Sequence, residues 1–229
     1  MSEKTPVGPR RTAPLRDLPV AQGRTDLLVR VDPLALPAVV DPRSLFGDDR
    51  PVELEVGVGK GRFILLAASA RPEVNFLGVE RAKRFYDRAL DRVAKRSLAN
   101  VRLLLADATA LIADRLATAC LAGCHIYFPD PWPKKRHHKR RLFQTETPAR
   151  LARLLRPGGL LRVVTDHTDY AHLIRDLVDA HSEFEDAGAD SGLWELPGMG
   201  DYTTLGITNF EIKYRREGRP IHRFAWRRR

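Results

Sequence analysis

The 229-residue chain is poor in cysteine: it contains only Cys120 and Cys124, which lie close together near an apolar run. Two cysteines cannot build a disulfide framework or a four-cysteine zinc site, so we interpret both as reduced thiols of a cytoplasmic protein. The histidines include the adjacent pair His137 and His138, but no carboxylate or cysteine stands near them at ligand spacing. We therefore expect no metal site.

Long apolar segments are also missing. No stretch approaches the length of a membrane-spanning helix, and residues 1–24, rich in proline, arginine and threonine, lack the apolar centre of a secretory signal. We expect no membrane association and interpret residues 1–24 as a flexible basic tail, either simply disordered or touching RNA. Residues 25–229 are predicted to form one domain, since 43% of the chain is hydrophobic and can supply a core.

Acidic residues are outnumbered, with 29 Asp and Glu against 39 Lys and Arg, for a formal net charge of +10. Much of the excess lies in two places, the run at residues 134–141 and the C-terminal residues 213–229. Both clusters suit phosphate contacts, and the alternative is an ordinary solvated basic surface.

Short apolar runs alternate with amphipathic stretches from Pro51 onward. We predict strands at residues 52–56, 75–79, 101–105, 125–128 and 160–164, and helices at residues 63–70, 81–96, 108–119, 142–155 and 170–180. This order favours a doubly wound α/β fold, with a mostly parallel sheet covered by helices on both faces. Residues 193–208 are expected to form a long loop, and residues 221–226 a last edge strand.

Three glycines follow the first strand in the pattern G-x-G-x-G, at Gly57, Gly59 and Gly61. A dinucleotide fingerprint requires its third glycine where Arg62 stands, so the spacing disfavours a nicotinamide cofactor. Glycines here let the backbone come close to a ligand and leave room for a nucleoside. The alternative is a tight turn between strand and helix.

Carboxylates stand at three predicted strand ends. Glu80 follows the second strand, where it can accept hydrogen bonds from ribose hydroxyls. Asp107 follows the third strand and either contacts an adenine or caps the next helix, while Glu55 ends the first strand. Grouping like charges is costly for folding, so an acidic pocket in a basic protein suits a cationic ligand such as S-adenosylmethionine.

The segment after the fourth strand joins a rigid turn to the basic run. Three prolines frame Asp130 and Trp132 and restrict their backbone, so both side chains are held in place. A fixed carboxylate and an aromatic ring beside dense positive charge indicate chemistry on a polyanion. Trp132 either stacks on a base or packs against the protein.

These motifs resemble those of bacterial tRNA (guanine-N7)-methyltransferases. The resemblance runs from about residue 22 to residue 226 and rests on residues 54–61, 75–80, 100–101, 107–108, 128–137, 165–166 and 208–211. It implies a Rossmann-like, seven-stranded methyltransferase fold and S-adenosylmethionine as the methyl donor. It also implies that the acceptor is N7 of the guanine at position 46, in the variable loop of tRNA.

The resemblance also assigns roles to individual residues. Cofactor contacts fall on Glu55, Gly57, Gly59, Gly61, Glu80, Asp107 and Asp130, and substrate contacts on Lys134, Asp166, Thr208, Asn209, Phe210 and Glu211. Asp130 is also the expected catalytic residue. The implied partner is tRNA, with no protein partner required, for a monomer or homodimer in the cytoplasm.

Two other functions fit parts of the sequence. A methyltransferase acting on an exocyclic amine of a nucleic acid would also use an acidic, proline-rich turn, but its product would carry no labile cationic base. A non-enzymatic RNA-binding protein on a vestigial nucleotide fold is the other, and the intact set of glycines and carboxylates argues against it.

Overall fold

The computed structural model describes residues 30–31, 36–188 and 206–229. The predicted tail at residues 1–24 lies outside the described residues, and so does the greater part of the loop predicted at residues 193–208.

One sheet of eight strands organises the described residues. The strands are β1 (Arg30–Val31), β2 (Val52–Val56), β3 (Asn75–Glu80), β4 (Val101–Leu105), β5 (Leu121–Tyr127), β6 (Leu155–Thr165), β7 (Phe184–Asp186) and β8 (His222–Arg228). Their order across the sheet is β1-β4-β3-β2-β5-β6-β8-β7. The pairs among β1 to β6 are all parallel, and β8 is antiparallel to both of its neighbours.

Helices connect the parallel strands. They are α1 (Arg62–Ala70), α2 (Lys83–Ala94), α3 (Ala108–Ala110), α4 (Thr147–Leu154), α5 (Thr168–Asp179) and α6 (Asn209–Arg216). A π-helical turn, Leu111–Arg115, continues α3, and 3-10 helices cover Pro42–Leu45 and Lys135–Arg140. Within the described ranges, no helix is both long and apolar enough to cross a membrane.

The predicted doubly wound, mostly parallel sheet is confirmed, and the two-residue strand β1 adds an eighth strand at its edge. The chain runs from β2 outward to β3 and β4, then returns to place β5 on the other side of β2. In such sheets the crevice for a ligand opens at this reversal, at the carboxyl ends of the strands. That crevice lies between the end of β2 and the end of β5.

Each face of the sheet has its own apolar core. On one face α1 buries Phe63, Ile64 and neighbouring residues on nearly all sides, while the amphipathic α2 buries Tyr86, Ala89 and Val93. On the other face α4 and α5 pack their apolar sides, with the two free cysteines nearby. Burial raises the pKa of both thiols to about 12, which keeps them protonated and unreactive.

Several predicted elements differ from the structure. The C-terminal strand β8 is not at the edge, because it inserts between β6 and β7. The helix predicted at residues 108–119 is only α3 and the π-helical turn, which ends at Arg115.

The helix predicted at residues 142–155 begins only at Thr147, where Pro148 occupies the first turn and the Thr147 hydroxyl accepts from the amide of Gln144. Strand β6 begins at Leu155, before its predicted start at residue 160, and its pairing with β5 shifts register there.

Thr208, predicted as the last residue of a long loop, instead caps a helix that the sequence analysis did not predict. Thr208 is the N-cap of α6, and its hydroxyl accepts a hydrogen bond from the amide of Glu211 at 3.0 Å. This arrangement satisfies one of the free amides at the start of a helix, so the segment Thr-Asn-Phe-Glu begins α6.

Candidate cofactor and RNA site

The glycine loop leaves β2 and enters α1 with three residues in the left-handed region. Gly57, Gly59 and Gly61 have φ of 77°, 55° and 75°, values that side chains other than glycine rarely adopt. A Cβ at Gly57 would meet no atom within 4 Å, and one at Gly59 would meet only a loop carbonyl at 3.9 Å. The first two glycines therefore border open space, whereas Gly61 packs against Ala89 of α2.

Glu80 braces this loop from the end of β3. One carboxylate oxygen accepts from the amide of Gly59 at 2.8 Å, and the other accepts from the amide of Ala82 at 2.7 Å. The side chain is half-buried. Because a carboxylate oxygen has two acceptor sites, each still has capacity for a ligand hydroxyl.

Glu55 lies beneath the loop and is only 2% exposed. Its Oε2 atom is buried and has no hydrogen-bond partner in the described part of the chain. Burial and the neighbouring Glu80 raise the pKa of this carboxyl well above its usual value, although the amide of Ile64 acts to lower it. A buried acceptor without a partner is costly and calls for a ligand group or an ordered water.

These features fit the cofactor implied by the sequence. Open space over Gly57 and Gly59 can hold a nucleoside, Glu80 offers acceptors for ribose hydroxyls, and Glu55 can bind a positive group. The parallel strands bring all four residues to the same edge of the sheet.

Asp107 lies beside this group but is more exposed. It is the N-cap of α3, accepts from the amide of Thr109 at 2.8 Å and lies 3.8 Å from a guanidinium nitrogen of Arg81. Of the two roles considered for Asp107, helix capping is therefore present, and its second oxygen faces the basic start of α2.

The proline-rich turn after β5 has a strained backbone. Phe128 and Trp132 adopt φ of 52° and 40°, which is unusual for bulky residues. The amide of Phe128 donates to the carbonyl of Val164, so the strained turn remains attached to β6. Backbone strain of this kind persists only where the surrounding structure enforces it, and it is frequent at functional sites.

Two aspartates lie near Tyr214 in this part of the crevice. Asp130 is exposed on the turn and forms no hydrogen bond or ion pair with any described residue. Asp166, at the end of β6, accepts from Arg219 at 2.9 Å. The pKa of the Tyr214 hydroxyl is raised by burial and then by Asp166, with smaller effects that include Asp130, so both carboxylates lie near this tyrosine.

Three aromatic rings form a ledge beside these aspartates. The ring centroids of Phe128, Phe210 and Tyr214 lie 5.5 to 6.2 Å apart, and Phe210 remains 45% exposed. The guanidinium of Arg219 lies 4.4 Å from the centre of the Tyr214 ring. An exposed ring beside a fixed carboxylate can receive a flat base.

The basic run, residues 134–141, directly follows the proline-rich turn. Lys134 precedes the 3-10 helix and is exposed, as are most cations of the run. Arg140 lies 5.0 Å over the half-buried Trp132 ring, so this tryptophan packs against the run. We expected Arg141 to bind phosphate, but it is buried and donates to the carbonyl of Pro131 at 2.7 Å, which fixes the turn instead.

The segment at residues 208–211 divides between surface and interior. Asn209 and Phe210 are exposed, whereas Thr208 caps α6 and Glu211 is fully buried. Glu211 accepts from the amide of Ile207 and pairs with Arg215 and Arg223. Its side chain therefore anchors α6 to β8 and does not face outward.

Several contributors were not recognised in the sequence. Tyr214 and Arg219 complete the surroundings of Asp166, and the spacing of Phe210 and Tyr214 on one helical face was the available signal. A buried group under α1, formed by Glu53, Arg71, His125 and Tyr127, was also missed.

Comparisons with known proteins agree with this geometry. Residues 49–224 match a family model described as a putative methyltransferase. A tRNA (guanine-N(7)-)-methyltransferase of Rhodopirellula baltica is 39% identical over 205 residues, covering 86% of this chain and 73% of the relative. A protein of the same name from Thiobacillus denitrificans is 35% identical over 96% of this chain and 95% of the relative.

Solved structures show the same fold at low identity. An antibiotic-related methyltransferase superimposes with a TM-score of 0.55 and 14% identity, covering 86% of this chain and 97% of that one.

Proposed function

The chain belongs to the tRNA (guanine-N(7)-)-methyltransferase family, and we propose that its crevice at the carboxyl ends of β2, β3 and β5 is the active site. The enzyme transfers a methyl group from S-adenosylmethionine to N7 of a guanine in tRNA. The observation that best supports this site is the buried Oε2 atom of Glu55, which has no hydrogen-bond partner among the described residues, beside an open glycine loop.

S-adenosylmethionine, when bound, supplies an electrophilic methyl group on a sulfonium. The chain provides an acidic cleft that would hold this cation: Glu55 would bind positive charge, Glu80 would accept from ribose hydroxyls, and Gly57 and Gly59 would border the nucleoside. Asp107 completes the cofactor side as a polar neighbour, while Gly61 permits the close packing of α1 on α2.

Guanine N7 carries a lone pair and no proton, so the protein needs no strong base. Its task is to hold the base in line with the methyl group and to offset the positive charge that develops on the purine. Asp130, exposed and held in a strained turn, is the catalytic residue because its carboxylate can accept from the Watson-Crick edge. Phe210 stacks on the base, and Asp166 with Asn209 adds polar contacts.

A guanine within folded tRNA must be exposed to enter this crevice, and the aromatic ledge replaces the stacking that the base loses. Lys134 and the other exposed cations of the run bind nearby phosphates. Thr208 and Glu211 contribute indirectly, because they stabilise the helix that carries Asn209 and Phe210. Position 46 in the variable loop is the proposed acceptor.

The assembly around this activity is part of the same proposal. We propose that no protein partner is required and that the enzyme works as a monomer or homodimer. Its tRNA substrate supports a cytoplasmic location. Residues 25–229 form a single catalytic domain in this proposal, preceded by a basic tail.

The test is methyl transfer by the variant Asp130→Asn. We expect the rate to fall by about 100- to 1000-fold, because a group that acts on the charge of the transition state is lost. Purified tRNA is incubated with labelled donor, and cleavage at N7-methylguanine maps the product. The affinity for tRNA should stay close to that of the unchanged protein.

The matched control is Asp114→Asn, which makes the same change at an exposed aspartate of the π-helical turn and should retain full activity. Near-normal turnover by Asp130→Asn would show that Asp130 is not the catalytic residue. Label found on an exocyclic amine instead of N7 would contradict the proposed acceptor atom.

A further inference from the structure

Helix α2 carries a row of arginines that the proposed active site does not use. Arg84, Arg88, Arg92 and Arg96 follow one another at intervals of four residues, and we call them the α2 stripe. Residues four apart lie on the same side of a helix, so the stripe winds slowly along one face. Arg84 and Arg88 are exposed, and the other two are half-buried.

Like charges at this spacing destabilise a helix. Both carboxylates of α2 form their ion pairs with lysines. Asp87 pairs with Lys83 at 2.6 Å and Asp91 pairs with Lys95 at 2.8 Å, which occupies both acids with lysines. Burial and the neighbouring arginines Arg96, Arg88 and Arg62 lower the pKa of Arg92, although Asp91 acts to raise it. Positive charge is therefore concentrated along the stripe.

Local structure explains only the C-terminal half of the stripe. Arg92 donates to the carbonyl of Lys60 in the glycine loop, and Arg96 donates to the carbonyl of Arg92 at 3.0 Å. Cations are also favourable at the C-terminal end of a helix. Arg84 lies over the ring of its neighbour Phe85, and Arg88 forms no hydrogen bond or ion pair with a described residue. Arg84 lies in the first turn of α2, where the helix dipole disfavours cations, and Arg88 lies one turn further along.

The position of the stripe relates it to the active site. The bond from Arg92 to Lys60 and the contact of Gly61 with Ala89 place α2 against the glycine loop. The run at residues 134–141 follows β5, on the opposite side of β2 in the sheet. Positive surfaces therefore flank the glycine loop on both sides.

We propose that the α2 stripe is a second phosphate-binding surface, which contacts the backbone of tRNA away from the methylated guanine. This inference rests on the proposed function, because it takes tRNA as the substrate. A single base in the crevice reaches only the run at residues 134–141, whereas a folded RNA is large enough to span both surfaces. Guanidinium groups suit phosphate because they donate two parallel hydrogen bonds.

The test is the double variant Arg84→Gln, Arg88→Gln, compared with Lys83→Gln, Lys95→Gln. Both variants remove two positive charges from exposed positions of the same region, but the lysines are already paired with aspartates. The affinity for tRNA is measured over a series of salt concentrations. We expect the log-log slope to become shallower by up to about 0.7 to 0.9 per lost phosphate contact in the arginine variant, and to change little in the lysine variant.

Steady-state kinetics of methyl transfer provide a second test. The arginine variant should have a higher KM for tRNA and an unchanged kcat at saturating tRNA, because its residues lie outside the catalytic crevice. An unchanged salt slope, an equal change in both double variants, or a shift in oligomeric state would overturn the proposal. If the unchanged protein binds tRNA through the stripe but does not methylate guanine N7, the surface stands and the proposed function fails.

Discussion

Two glutamates on β2 lie two residues apart on the same face of the strand, and the structure treats them in opposite ways. Glu53 and Glu55 are 7% and 2% exposed. Glu53 accepts two bonds from Arg71, at 2.8 and 2.7 Å, and lies 2.7 Å from His125. Although burial acts to raise it, these partners hold the pKa of Glu53 well below its usual range. Glu55 has no cationic partner, and its pKa is raised.

The paired glutamate belongs to a closed structural group. Burial lowers the pKa of His125 to about 4, so the ring is neutral near pH 7. Because an ionised carboxylate only accepts, His125 Nε2 donates to Glu53, and Nδ1 accepts from the hydroxyl of Tyr127 at 2.7 Å. Burial alone therefore does not mark a functional acid: both oxygens of Glu53 bind side chains, whereas Oε2 of Glu55 has no partner among the described residues and lies beside the open loop.

The largest effect is expected from Glu53→Gln. The change leaves the mostly buried Arg71 without its counter-charge, which should lower the free energy of unfolding by about 3 to 5 kcal/mol. Urea denaturation measures this loss. The exposed Glu73→Gln, in the connection between α1 and β3, is the control and should change stability by less than about 0.5 kcal/mol. If Glu53→Gln is as stable as the unchanged protein, Glu53 does not have this structural role.

Glu55→Gln should show the opposite pattern. The neutral amide cannot stabilise a bound cation, so we expect the affinity for S-adenosylmethionine to weaken roughly 10- to 150-fold, the range for a hydrogen bond to a charged group. Stability should not fall. Equilibrium dialysis with labelled donor measures the affinity, and equal affinities of variant and unchanged protein would contradict the assignment.

The pH dependence of stability should separate the two glutamates further. The pKa of Glu55 is raised on folding, so the unfolded chain ionises near pH 4.5 while the native carboxyl keeps its proton. As pH rises above that point, the unchanged protein loses stability relative to Glu55→Gln, by about 1.4 kcal/mol for each unit of pKa shift. Unfolding across mildly acidic to mildly basic buffers tests this. A stability gap that does not widen as pH rises would show that the Glu55 pKa is not raised.

Asp107 is intermediate between these cases, because it is exposed and already caps α3. Asp107→Ala should cost about 1 kcal/mol of stability through the lost cap. We expect only a small loss of donor affinity, smaller than that of Glu55→Gln. Asp107→Asn retains a capping side chain and serves as the control for the two effects. A loss of affinity as large as that of Glu55→Gln would move Asp107 to the centre of the cofactor site.

Much of the fold could be predicted from the sequence, because buried parallel strands appear as short apolar runs. Strands β2 and β4 have the predicted bounds, and β3 extends one residue beyond its predicted end, to Glu80. The position of β8 in the sheet could not be predicted. The apolar pattern of residues 221–226 indicates a strand, but it does not show which strands lie beside it. Strand order depends on packing between distant segments.

The same limit applies to the site. The ends of consecutive strands brought the glycine loop and Glu80 together as expected, since parallel strands end at one edge. Which carboxylates have partners could not be read from spacing. Arg71 reaches Glu53, and Arg219 reaches Asp166, from segments far away in the chain. For the same reason Glu211, predicted at the substrate, lies buried against Arg223.

The proposal for the cofactor site depends on Glu55, whose unpaired Oε2 atom receives the positive charge of S-adenosylmethionine. Calorimetric titration with this donor, in buffers of different ionisation enthalpy, counts the protons released on binding. We expect the unchanged protein to release more protons than Glu55→Gln, because the bound cation lowers the pKa of Glu55. Equal proton counts and equal affinities for the two proteins would contradict it.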